Sequence, residues 1–301
     1  MTIPIVAICP GRVVTGGPEA LHQLIDMVNC ISPHSGYICY TPFDQHHGTP
    51  ETYAGYKTPN IRKDDIPDNA VIVLPEIFPD LIEEFVQRCA FWWLSVDSFY
   101  AWSGDTTAMR QAAVQLAQSE YARRHLAEKF GINSLMLTDY ISRDFENVAG
   151  IIKHPRVAVN PTKGRDLIDQ FCERFPDIEV VELIDMSREQ VRRVLAESTI
   201  YIDFGHHPGR DRLPREAALS RVVILSTNVG SAANEIDMPL NDWYKFDSVD
   251  HAGEKVRAIF GDANSHLKAQ ESYYENVAAQ RAKFRLEVEQ LIRFAETETV
   301  K

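Results

Sequence analysis

Between residues 155 and 227, short apolar runs and amphipathic stretches alternate without a break: "RVAVN", "GRDLIDQFCERF", "IEVVELI", "SREQVRRVLAES", "TIYIDFG", "PREAALS" and "RVVILST". Little else in the chain constrains the fold as strongly. Apolar runs too short for helices, each followed by a helical pattern, need a sheet covered on both faces, which parallel strands with crossover helices provide. Ser187 and Gln190 have the spacing of a capping box, and Met186 with Val191 is placed as a hydrophobic staple, so this helix start is well defined.

A similar series fills the first half. "IPIVAIC" (3–9) reads as a buried strand, and a glycine loop follows. Pro18 then opens a helix with Leu21, Leu24, Ile25 and Val28 on one face. Strands are expected at 36–40, 70–75 and 90–96 and again in "INSLMLTDY", with helices at "DLIEEFVQRC" and over about 106–129, ended by Gly131. The polar stretch near 142–155 is a linker, and 262–296, without proline or an interior glycine, is helical. The expected domains are 1–150, 151–262 and a C-terminal helical segment, 263–301.

A chain of 301 residues can bury the cores of two such domains. Its formal net charge of −12 opposes general attraction to nucleic acid or an anionic membrane, so recognition of phosphate must be local. No window has the length of a membrane span and no signal sequence opens the chain, which gives an expectation of a cytoplasmic protein without an integral membrane segment. The five cysteines lack CxxC spacing and read as reduced core residues.

Open parallel sheets bind ligands beyond the carboxyl ends of their strands. Neither GxGxxG nor GxxxxGK[ST] is present, which removes the usual support for a dehydrogenase or a P-loop enzyme. The most unusual strand-end segment is "YIDFGHHPGRDRLPREAAL" (201–219). Arg210, Arg212 and Arg215 fall within six residues, beside Gly205 and Gly209 and at the start of a helix. Guanidinium forks and a helix amino terminus suit phosphate oxygens, with one of the three arginines available to brace the loop. Of the adjacent histidines, His206 is expected to face the ligand and His207 to pack; a metal site with Asp203 and Asp211 is not expected, for want of a third histidine at ligand spacing. Glu19, Glu76 and Asp97, each close to a strand end, are the candidate general bases, with Asp97 preferred and Glu76 next. Trp92 and Trp93, neighbours on a strand, face opposite sides of the sheet and read as core, whereas Tyr100 and Trp102 are better placed to stack on a sugar.

The order "PGRDRLPREAALSRVVILSTNVGSA" resembles the nucleotide-binding half of GT-B glycosyltransferases, in which a glycine-containing loop precedes a "-P-x-x-E-A-" helix, a small-residue turn and a further strand. "NPTKG" is similar to the lysine-glycine segment of that superfamily, and "TGGPEAL", with Gly16 and Gly17, to the glycine loop of its first domain. The string "YIDFGHHPGRDRLPREAA" is also similar to uncharacterised GT-B-like proteins of bacterial surface-polysaccharide gene clusters. The resemblance implies two Rossmann-like parallel-sheet domains facing a cleft, with a long C-terminal helix. It implies that Glu216 binds the donor ribose, that Lys163 binds phosphate, and that His206, Gly209, Arg210, Arg212, Arg215 and Ser231 line the donor site. Two departures stand out: Pro208 occupies the place of the second glutamate of retaining members, and Ala158 falls where an arginine precedes the lysine.

The expected reaction is metal-independent transfer of a sugar from a nucleotide-sugar donor to a carbohydrate acceptor, with no cofactor and no nucleic-acid partner. The alternatives are a nucleotide-sugar epimerase or hydrolase on the same architecture, and a non-catalytic binding subunit of a polysaccharide-assembly complex.

Overall fold

The computed structural model describes residues 2–45 and 47–297. The chain divides into two compact units: one is formed by the chain up to Tyr140 together with the segment starting at Arg281, and the other by Ile141–Gln280. The second unit thus begins about ten residues before the expected boundary at 150. The expected C-terminal segment is shared between the units.

In the first unit the strands are β1 (Ile5–Pro10), β2 (Gly36–Thr41), β3 (Val71–Pro75), β4 (Arg88–Trp93), β5 (Val114–Ala117) and β6 (Leu135–Met136). They form one parallel sheet in the order β2-β1-β3-β4-β5-β6. The chain steps from β1 to β2 on one side and returns to β3 on the other, which puts the topological switch at the carboxyl ends of β1 and β3. Helix α1 (Gly16–Ile31) crosses from β1 to β2 and is buried from Pro18 to Val28. Its apolar side joins Ile5, Ala7 and Cys9 of β1 in the core.

Two expected helices differ. "DLIEEFVQRC" yields a short 3-10 turn, Pro79–Glu84, because Cys89 must already be extended to pair with Ile72. The region 106–129 is not one long helix: after α2 (Val96–Trp102) come the single turn α3 (Thr106–Met109), strand β5 and then α4 (Glu120–Phe130), capped by Gly131 in the left-handed region. "VQLA" is rich in residues that helices accept, but it fills the row between β4 and β6.

The second unit carries β7 (His154–Val159), β8 (Glu179–Glu182), β9 (Ser198–Asp203), β10 (Val223–Thr227) and β11 (Lys245–Phe246), all parallel, in the order β11-β10-β9-β7-β8. Its switch lies between β7 and β9. The crossovers are α5 (Arg165–Arg174), α6 (Arg188–Glu197) and α7 (Arg212–Leu219), followed after β11 by α8 (Val249–Gly261). At the start of α6 the expected capping box of Ser187 and Gln190 is formed.

The terminal helical region is three helices, α9 (Ala263–Ala269), α10 (Glu271–Ala278) and α11 (Gln280–Thr297). At the first break the Gln270 side chain donates to Ile224 O at 2.8 Å and accepts from Ile224 N at 3.0 Å, so the backbone turns where a side chain serves a strand. Helix α11 belongs to the first unit, where Phe284, Val288, Leu291 and Ala295 enter its core. No helix among the described residues is long and apolar enough to cross a membrane.

Candidate functional site

The residues singled out in the second half converge where its sheet switches direction. Lys163 lies in the loop after β7 and Asp211 in the loop after β9, 48 residues later, yet Lys163 Nζ donates to Asp211 Oδ2 at 2.6 Å. Glycines make this approach possible. Gly164 has φ +67°, and a Cβ there would collide with Phe204 O. Gly230, φ +62°, leaves no room for a side chain against His207 O. The loops after β7, β9 and β10 are therefore in van der Waals contact along their backbones, which holds their polar groups in place without a ligand.

Beneath this surface lies a buried polar network. His207 is fully buried, with Nδ1 3.0 Å from Asp211 Oδ2 and Nε2 3.1 Å from Ser226 Oγ and 3.7 Å from Asp203 Oδ1. Burial alone would lower the imidazole pKa, but the close contact with the Asp211 carboxylate and the charges of Asp203 and Asp211 outweigh it and raise the pKa, with Lys163 opposing. Burial works against the Asp211 carboxylate too, and His207 and Lys163 together still hold it below the usual range. Asp203 accepts from the Tyr201 hydroxyl at 2.9 Å and from Gly205 N at 3.0 Å.

Asp203, His207 and Asp211 recur every fourth residue and are the one group among the described residues with the geometry of a metal site. The donor set does not suit a cation. Both Asp203 oxygens already accept hydrogen bonds, and the Lys163 ammonium, hydrogen-bonded to Asp211, already brings a positive charge to the group.

Helix α7 begins one residue after Asp211, which occupies the N-cap position but makes no side-chain cap. The carboxylate turns to Lys163 and His207 instead. Arg212 opens the helix and approaches Glu216, Nε to Oε1 at 3.4 Å. His206 is exposed and His207 buried, as expected. Arg210 and Glu216 are buried, with 7% and 8% of their surface accessible.

Two expected ligands turn inward. Arg215, 1% exposed, directs its guanidinium to Asp211 O at 3.0 Å, Arg210 O at 2.6 Å and Gln280 Oε1 at 3.0 Å, and so braces the loop from inside. Ser231 donates its hydroxyl to Gly209 O at 2.6 Å and its N–H to His207 O at 2.8 Å, so it fastens one loop to another. Lys245 shares a register row with Ser226, which is itself paired with Asp203, and its side chain is nearly buried.

In the first unit the three candidate bases separate by environment. Glu19 is buried and accepts from the Tyr56 hydroxyl at 2.9 Å, in a polar face of α1 that also includes His22 bonded to Tyr40 at 2.9 Å. Glu76, directly after β3, is buried and accepts from Leu94 N at 3.0 Å; burial raises its pKa to about 8 against the pull of these backbone donors. Only Asp97, in the first turn of α2, presents an exposed carboxylate. Gly16 and Gly17 form the first residues of α1, whose N-cap Thr15 makes no side-chain cap. Trp92 and Trp93 are core, as expected, with indole N–H groups bonded to Leu137 O and Gln115 Oε1, each at 2.8 Å. Tyr100 and Trp102 are exposed by 41% and 70%.

No protein-family model matches the sequence, and no curated protein matches it either. Solved structures do match over almost the whole chain. A glycosyltransferase from Rickettsia africae is 12% identical with a TM-score of 0.67, covering 98% of each chain. HepE from Anabaena, in complex with UDP-glucose, is 11% identical with a TM-score of 0.68, over 97% of this chain and 99% of that one. The chain has a GT-B fold. An E. coli trehalose-6-phosphate protein bound with UDP-2-fluoro glucose, 10% identical, shares the GT-B fold with a TM-score of 0.62, over 98% and 99%. At these identities the likeness is one of architecture.

Proposed function

We propose that the chain is a glycosyltransferase that moves a sugar from a nucleotide-sugar donor to a carbohydrate acceptor, in the cytoplasm and in the service of bacterial surface-polysaccharide synthesis. The observation that carries the reading is the meeting of Lys163 with the amino end of α7 at the β7–β9 switch, in a fold shared with HepE bound to UDP-glucose. Open parallel sheets bind their ligands at this position.

The chemistry follows from charge. Departure of a nucleotide from the sugar leaves new negative charge on its phosphates, and fixed cationic donors lower the barrier by meeting that charge. Lys163, Arg210, Arg212 and the amino end of α7 supply it here, with His206 and the Gly209 backbone at the rim. Glu216 is assigned to the ribose hydroxyls and Asp97 to the acceptor hydroxyl as general base. Glu19 and Glu76, both buried, support the first-unit loops, and Gly16 with Gly17 leaves the start of α1 open to a ligand.

A thermal-shift panel of UDP, GDP, dTDP, CMP and ADP tests the donor site. At least one nucleotide should raise the melting temperature of the wild type, and Lys163→Ala and Glu216→Ala should each reduce that shift. A wild type indifferent to all of them overturns the reading. Incubating the donor so identified with and without oligosaccharide acceptors then distinguishes transfer from hydrolysis or epimerisation.

A further inference from the structure

We propose that Asp211 acts as an internal stand-in for the ligand's phosphate: it holds Lys163 in the free protein, and when phosphate takes Lys163 the carboxylate falls back on His207. This rests on the donor-site reading and adds a mechanism to it. Binding becomes an exchange of ion-pair partners relayed to a buried histidine.

Three observations support the exchange. The Lys163–Asp211 pair, at 2.6 Å, remains partly open, with 31% and 21% of the two side chains accessible, so a ligand can reach it. Asp211 occupies the N-cap of α7 without capping it, so the carboxylate is turned from its usual task toward the lysine. The same Oδ2 atom already lies 3.0 Å from His207 Nδ1, so loss of Lys163 does not strand a partly buried carboxylate without a cation.

The relay has a definite sign. The charged and titratable groups facing His207 are Asp203 from β9, Asp211 from the start of α7 and Lys163 from the loop after β7, with Tyr201 behind Asp203; Ser226 of β10 is its uncharged partner. Lys163 is the one group in that set that opposes the imidazolium. Its transfer to phosphate therefore favours protonation of His207, and ligand binding takes up a proton at pH values where the free site holds the histidine partly neutral.

Titration calorimetry with inorganic pyrophosphate tests this on the full chain. Asp211→Asn removes the competing anion, so pyrophosphate should bind about tenfold more tightly than to the wild type, which is about 1.4 kcal/mol. In buffers of different ionisation heat, across a pH series rising from the ordinary imidazole range, the wild type should take up protons on binding in part of the series, and Asp211→Asn should take up fewer. His207→Gln, which keeps a hydrogen-bonding side chain but cannot titrate, should bind without proton uptake and answers the question if Asp211→Asn does not fold. Equal or weaker binding by a folded Asp211→Asn, or unchanged proton uptake in His207→Gln, overturns the exchange. If Lys163→Ala still weakens binding in that case, the donor site itself stands; if the wild type binds no pyrophosphate and no nucleotide, both fall.

Discussion

Glu76 is a carboxyl group whose burial has a thermodynamic consequence that can be measured. Its pKa is raised to about 8 in the folded chain by burial, against about 4.5 when unfolded. The folded state therefore holds the extra proton between those values, and the contribution to stability is complete below about pH 4.5 and lost as pH rises through 8. The whole effect is on the order of 5 kcal/mol. Glu76→Gln, which keeps an acceptor for Leu94 N, should flatten this loss. Urea unfolding of both proteins at the two ends of the window checks it, and parallel curves would remove Glu76 from the account. At this scale the sequence was a partial guide. Lys163 and Glu216 were legible because each sits in a short pattern with known neighbours. The use of Arg215 as a brace was not, since Arg210, Arg212 and Arg215 differ only in which way their side chains leave the backbone. Nor could the pairing of Lys163 with Asp211 be read, because it depends on strand order.

The strand and helix alternation was legible wherever each element obeyed its own local pattern, as throughout the second unit. It failed at β5 and at the turn after β3, where the position of a segment between neighbouring strands overrides its propensity. Contacts between elements add constraints that no periodicity shows. Helix α8 meets α5 through Gly253, and a Cβ at this position would collide with the Phe175 ring. Gly253→Ala should therefore overpack this contact and cost about 1–3 kcal/mol, despite the better helix propensity of alanine. Because neither residue belongs to the candidate site, the nucleotide affinity of the folded variant should match the wild type. A melting temperature at or above that of the wild type would mean that Phe175 turns aside without cost.

The last helix of the chain completes the first unit, and this sets what the molecule needs in order to fold. Phe284 is fully buried, 5.6 Å between ring centroids from Tyr140, and Glu287 accepts both the N–H and the hydroxyl of Thr138, at 2.7 and 2.6 Å. Arg88 reaches the carbonyl of Ala295 at 2.7 Å. The first unit's core is thus unfinished until the end of the chain is present, whereas every strand and crossover of the second unit lies within Ile141–Gln280. Phe284→Ala should cost about 3–5 kcal/mol, as expected for a large aromatic removed from a packed core. That loss falls on the unit without the proposed phosphate pocket. In a calorimetric scan the variant should show an early transition that nucleotide does not move, followed by a later one that nucleotide still raises. A single transition, lowered as a whole and raised as a whole by ligand, would show instead that the two units unfold together and that α11 stabilises both.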